Sequence, residues 1–86
     1  MREQLMPTST ITCHQSIDLS GLRCPKMVIA TIHALAQLKT GQILQVIATD
    51  LSAPSNMAAW CRQSGNALVE MYEENGRFVF YIKKFV

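Results

Sequence analysis

The chain has 86 residues, 49% of them hydrophobic, with eight basic and six acidic side chains and a formal net charge of +2. That length suits one small domain with a single core, and that apolar fraction excludes a disordered chain. The balanced charge gives no footing for nucleic acid, and no apolar run reaches bilayer-spanning length. No signal-peptide h-region opens the sequence, so a cytoplasmic domain with reduced thiols is expected.

Residues 1–14 are polar, rich in Ser and Thr and interrupted by Pro7, and read as a flexible extension; the folded domain is expected over 15–86. Residues 15–19 suit a short strand ending at the turn pair Ser20-Gly21. A helix is predicted over 25–39, with Val28, Ile29, Ile32, Leu35 and Ala36 on its apolar face and Lys26, His33 and Gln37 opposite. Pro25 suits the first helical position, which makes Cys24 the N-cap, and Thr40-Gly41 closes the helix. Residues 42–49 alternate, with Leu44, Val46 and Ala48 facing one way, as in a half-buried strand. A turn-and-cap stretch over 50–55 leads into a second helix that runs to about residue 64, with Met57, Trp60 and Cys61 inward and Gly65-Asn66 as its stop. Two strands follow, 67–73 and 77–84, joined by Glu74-Asn75-Gly76, an Asn-Gly hairpin signal, with Phe78, Phe80 and Ile82 pointing inward. The order βαβαββ predicts an α+β fold: a two-layer α/β sandwich with a four-stranded mixed sheet and both helices on one face. The first two strands, joined through a helix, should run parallel, and the last pair antiparallel.

The chemistry gathers at Cys24. Free N–H groups and the positive end of a helix dipole favour a thiolate there, and Arg23 and Lys26 flank it with the same sign. An ordinary cysteine acting as a small hydrophobe is the bland alternative. Cys61 falls on an apolar helix face and reads as core, whereas Cys13 lies in the extension as an incidental exposed thiol. No Cys-x-x-Cys pair and no paired histidine is present, so neither a metal nor a cofactor is expected. His33 sits roughly two to three turns along the same helix, out of reach as a base. Asp18 and Asp50 stand where turns or caps are wanted, Trp60 reads as packing, and the pair Lys83-Lys84 reads as a solvated strand end. A lone activated thiol without a base suits group carriage better than hydrolysis, and sulfur, held as a persulfide, is its natural cargo.

The pattern Asp18-x-x-Gly21-x-x-Cys24-Pro25 at a helix start, in a βαβαββ domain, resembles the TusA (SirA-like) sulfur-carrier family. The likeness extends from about Gln15 through Gly41, the run Ala59-Trp60-Cys61-Arg62 ahead of Gly65, and the closing hairpin. It implies a persulfide relay on Cys24 rather than an independent turnover enzyme, with Arg23 and Lys26 supporting the thiolate and Gly21 and Pro25 setting the backbone. It implies as partners a cysteine desulfurase or rhodanese-type sulfur donor and a downstream acceptor protein, in tRNA thiolation, cofactor biosynthesis or sulfur metabolism. Nucleic acid and membrane are not expected as partners, and nothing demands more than a monomer. The family usually shows Cys-Pro-x-Pro, and this chain has Met27 at the last position. That departure leaves two other readings: a binding or regulatory module of the same fold with an idle thiol, and a peroxide- or electrophile-sensing thiol.

Overall fold

The structure, a computed structural model, describes residues 13–86. Of the expected extension only Cys13 and His14 fall within it. Its elements in chain order are β1 (Gln15–Asp18), α1 (Lys26–Ala36), β2 (Ile43–Ala48), α2 (Ala53–Ser64), β3 (Ala67–Glu74) and β4 (Arg77–Lys83). This is the βαβαββ order the patterning predicts.

The strands form one mixed sheet in the spatial order β1-β2-β4-β3, so the last strand in sequence is central. β1 runs parallel to β2, and β4 pairs antiparallel with both β2 and β3. A strand joined to its parallel neighbour through a helix needs a crossover over one face of the sheet, and α1 is that crossover. The β3–β4 connection turns on Asn75 and Gly76, both with positive φ (53° and 78°), the backbone that an Asn-Gly hairpin supplies.

One face of the sheet builds the core. Leu44, Val46 and Ala48 of β2 and Phe80 and Ile82 of β4 are fully buried there, against Met27 and Leu35 of α1 and Ala53, Met57 and Cys61 of α2. Because the inward residues of both strands meet both helices, α1 and α2 lie on the same face, as expected. Phe78 packs on the edge of this cluster and Trp60 is half-buried beside it.

The orientation of α1 differs from the sequence expectation. Its buried stripe is Met27, Thr31 and Leu35, a four-residue spacing, while Ile29 and Ile32 are 49% and 38% exposed. A threonine looks like a poor core residue, but the Thr31 hydroxyl donates to the Met27 carbonyl at 3.0 Å. Its polarity is thus satisfied within the helix and its methyl group is free to pack. The helix also ends early. The Gln37 and Leu38 N–H groups bond three residues back, to Ala34 and Leu35, tightening the last turn. Gly41 (φ +93°) therefore serves a turn beyond the helix, where its N–H donates to the Lys84 carbonyl, rather than capping α1. Lys84 is no solvated strand end either: its Nζ donates to the Leu38 carbonyl at 2.7 Å and to the Ala36 carbonyl at 3.4 Å, supplying a cation to the C-terminal end of α1.

Candidate functional site

The site is built on the loop from β1 to α1. Leu19 extends the β1–β2 pairing by one bond, its N–H donating to the Ile47 carbonyl at 2.7 Å. The chain then reverses. One oxygen of the Asp18 carboxylate accepts both the Ser20 hydroxyl at 2.6 Å and the Ser20 N–H at 2.9 Å, an Asx turn. Those two hydrogen bonds, the hydroxyl foremost, hold the Asp18 carboxyl below its ordinary value of 3.8. Gly21 follows at φ +89°, a conformation that costs other residues about 1–2 kcal/mol, and its N–H donates to the Thr49 hydroxyl at 2.8 Å.

Cys24 stands at the end of this loop with its side chain in solvent. Its backbone place is one residue earlier than the sequence implied. The N-cap of α1 is Pro25 (φ −91°, ψ −5°), whose carbonyl accepts the Ile29 N–H, and the first helical residue is Lys26. Cys24 therefore precedes the cap, inside the turn that the Met27 N–H closes on the Arg23 carbonyl at 3.0 Å. The Cys24–Pro25 peptide bond is cis. The Cys24 N–H is not an open helix-end donor: it is bonded to Asp50 Oδ2 at 2.9 Å. Arg23, Pro25 and Lys26 are exposed alongside Cys24, and with Gly21 and Leu22 they line a shallow cleft of about 320 Å³. The five residues singled out from the sequence thus lie on one surface.

Sequence reasoning missed the second half of the site, the loop from β2 to α2. Asp50 does begin a turn, its Oδ1 accepting the Ser52 N–H at 3.1 Å, but its other oxygen holds the main chain of Cys24, 26 residues away. The Cys24 N–H is the largest influence that holds the Asp50 carboxyl below 3.8, followed by the Ser52 N–H, with the Arg23 guanidinium adding a smaller part. Thr49, Asp50 and Leu51 meet Gly21, Leu22 and Arg23 around a second cleft of about 460 Å³, with Leu51 87% exposed on its rim. No local pattern announces this pairing. Only the parallel β1–β2 register, which sets Asp18 against Ile47, brings the two loops to one end of the sheet. The β3–β4 turn lies at that end too, since Phe78 pairs with Ala48, and the Arg77 guanidinium contributes to lowering the Asp18 carboxyl.

The remaining thiols and histidines stand apart from this arrangement. Cys61 is buried, and burial pushes its thiol up to about 11. Cys13 is half-buried. His33 is exposed on α1, and His14 is tied to β2, its N–H donating to the Ile43 carbonyl and its Nδ1 accepting the Ile43 N–H. Among the described residues no group of three or more His, Cys, Asp and Glu is placed to hold a metal ion, and no helix is long and apolar enough to cross a membrane.

Met27, the departure from the double-proline pattern, is fully buried and its N–H donates to the Arg23 carbonyl at 3.0 Å. A proline there would lack that donor. The difference therefore acts on the packing beneath the loop, not on the solvent face around Cys24.

Known proteins resemble this chain in sequence and in fold. The family model described as "Sulfurtransferase TusA" matches residues 15–84. A sulfur carrier protein TusA of Allochromatium vinosum is 43% identical over 70 residues, 81% of this chain and 92% of that one. A putative sulfur carrier protein of Neisseria meningitidis is 38% identical over 69 residues, 80% of this chain and 93% of the relative. A putative sulfur carrier protein of Aquifex aeolicus is 40% identical over 70 residues, but this chain spans only 36% of its length. Among solved structures, a SirA-like protein from Desulfitobacterium hafniense superposes with a TM-score of 0.72 at 26% identity, over 84% of this chain and 99% of that one. With a family match over nearly all of the described fold and relatives near 40% identity, the chain belongs to the TusA family.

Proposed function

We propose that this protein is a sulfur carrier whose Cys24 receives a sulfur atom as a persulfide and passes it to an acceptor protein. The observation that carries the reading is the exposed thiol of Cys24 at the tip of a loop held by hydrogen bonds, within the segment matched to the family. The donor is a protein persulfide of the cysteine desulfurase or rhodanese type. The Cys24 thiolate, its proton released to solvent, attacks the terminal sulfur of that persulfide. A new S–S bond forms to Cys24 as the donor's S–S bond breaks, and the donor thiolate leaves with the electron pair. The acceptor's nucleophile then attacks the terminal sulfur on Cys24 and regenerates the Cys24 thiolate, so neither step needs an outside oxidant. Arg23 and Lys26, on the same rim, supply positive charge where an anionic persulfide sits, and Gly21 and Pro25 shape the backbone that presents it. An open surface with a tethered loop suits this role, because the partner protein brings the second sulfur centre and the excluded surface.

Incubation with a cysteine desulfurase and cysteine, and separately with a rhodanese and thiosulfate, followed by intact mass measurement, tests the reading. The wild type is expected to gain the mass of one sulfur atom, removable by a reducing thiol, and Cys24→Ser to gain none. A wild type that takes no sulfur from either donor class, or an adduct that survives in Cys24→Ser, overturns it.

A further inference from the structure

The Asp50 carboxylate divides its two oxygens between the loops at this end of the sheet. Oδ2 accepts the Cys24 N–H at 2.9 Å and Oδ1 accepts the Ser52 N–H at 3.1 Å, while the Asp50 carbonyl accepts the Ala53 N–H at 2.9 Å as α2 begins. Asp50 is thus fixed from its own side by α2, whose first residue Ala53 is fully buried in the core. Its free oxygen then grips the residue that bears the thiol. Next to it, the Thr49 hydroxyl accepts the Gly21 N–H at the other end of the same loop. The loop from Gly21 to Cys24 is therefore held at both ends by consecutive residues of the β2–α2 connection, although its own side chains Arg23 and Cys24 are exposed.

We infer that Asp50 is the positioning residue of the sulfur site: by fixing the Cys24 main chain to the sheet, it sets the direction from which the Cys24 sulfur meets a partner's sulfur. This rests on the sulfur-carrier reading. Sulfur exchange between two thiol centres requires the attacking sulfur, the transferred sulfur and the leaving sulfur to lie near a line. A thiol on an untethered loop meets that condition only in a fraction of its conformers, and a misplacement of about 1 Å can cost roughly 100-fold in rate. The carboxylate acts through main-chain geometry and touches neither donor nor acceptor in this scheme. It is an acceptor role toward two N–H groups: an amide, with one oxygen, keeps only one of the two bonds and turns its NH2 toward the other donor, and a carboxylate displaced by one methylene holds neither in place.

The test compares Asp50→Asn, Asp50→Ala and Asp50→Glu with the wild type. Three quantities are read: the rate of persulfide loading from a cysteine desulfurase across donor concentrations, the rate of Cys24 alkylation by iodoacetamide, and Tm. Asp50→Ala and Asp50→Glu are expected to load roughly tenfold or more slowly at saturating donor, with the half-saturating donor concentration little changed. Alkylation by the small reagent, which needs no fixed approach, stays within about twofold of wild type. Asp50→Asn, with a single acceptor for two N–H groups, is expected to load at a rate between those of the wild type and Asp50→Ala. Asp50→Glu keeps the test open should Asp50→Ala fail to fold. The proposal is overturned if Asp50→Ala or Asp50→Glu loads at the wild-type rate, or if either slows alkylation by iodoacetamide as much as it slows loading. A wild type that takes no sulfur removes the carrier reading itself, an outcome distinct from either.

Discussion

Cys24 and Cys61 show how strongly position governs one side chain type. Cys61 has the same thiol, yet it lies among Met57, Phe80 and Ile82 with almost no exposure, and burial raises it to about 11 from an ordinary 9.0. A thiol raised in the fold adds stability in full below pH 9.0, because there both states keep the proton. Above it the unfolded chain ionises first, so stability is lost progressively until about pH 11. Tm is therefore expected to fall between those limits, and the fall should be smaller in Cys61→Ala, with Cys24→Ser as the control that retains it. In native protein at neutral pH, maleimide should label Cys24 readily and Cys61 only after denaturation. The carboxylates work in the opposite sense. Asp18 and Asp50 both sit below 3.8 in the fold, so the stability they contribute is present above that value and is lost as pH falls through their folded values. An acid titration of Tm below pH 4 should be flatter in a double Asp18→Asn, Asp50→Asn variant than in the wild type.

At the level of elements, α1 shows where periodicity is informative and where it is not. The apolar residues of 25–39 did mark a helix, but more of them were apolar than one face could bury, so the stripe that faces the sheet was underdetermined. The loop before Lys26 settles it, since it delivers Met27 directly over the core. Met27→Ala should cost about 2–5 kcal/mol in a denaturant titration, the range for truncating a buried methionine, whereas Ile29→Ala should cost little. The other end of α1 depends on a residue 48 positions away, Lys84, whose ammonium meets the Ala36 and Leu38 carbonyls. Lys84→Met keeps the stem and removes the donor. It is expected to cost about 1–2 kcal/mol, measured the same way.

For the whole molecule the decisive feature is the sheet order β1-β2-β4-β3. β4, last in sequence, joins the parallel pair to the hairpin, so folding waits on contacts of high sequence separation. Amides of β2 and β4 that face one another are expected to be the slowest in hydrogen exchange, at the global unfolding free energy. Those of β1, a four-residue edge strand, should exchange through cheaper local opening. Faster exchange in β4 than in β1 would contradict this order of stability.

Element types and their order, the inward residues of β2, the Asn-Gly hairpin, the buried character of Cys61 and the family motif around Cys24 are all legible in the chain alone. All of these are short-range signals, carried by periodicity or by backbone preferences of a few adjacent residues. The folded arrangement is needed to establish which stripe of α1 is buried, that Lys84 closes that helix, that β4 is central, and that Asp50 holds Cys24. Each of these depends on groups brought together from distant parts of the chain, and no local preference of Asp50 for a turn distinguishes an aspartate that caps its own loop from one that also grips another.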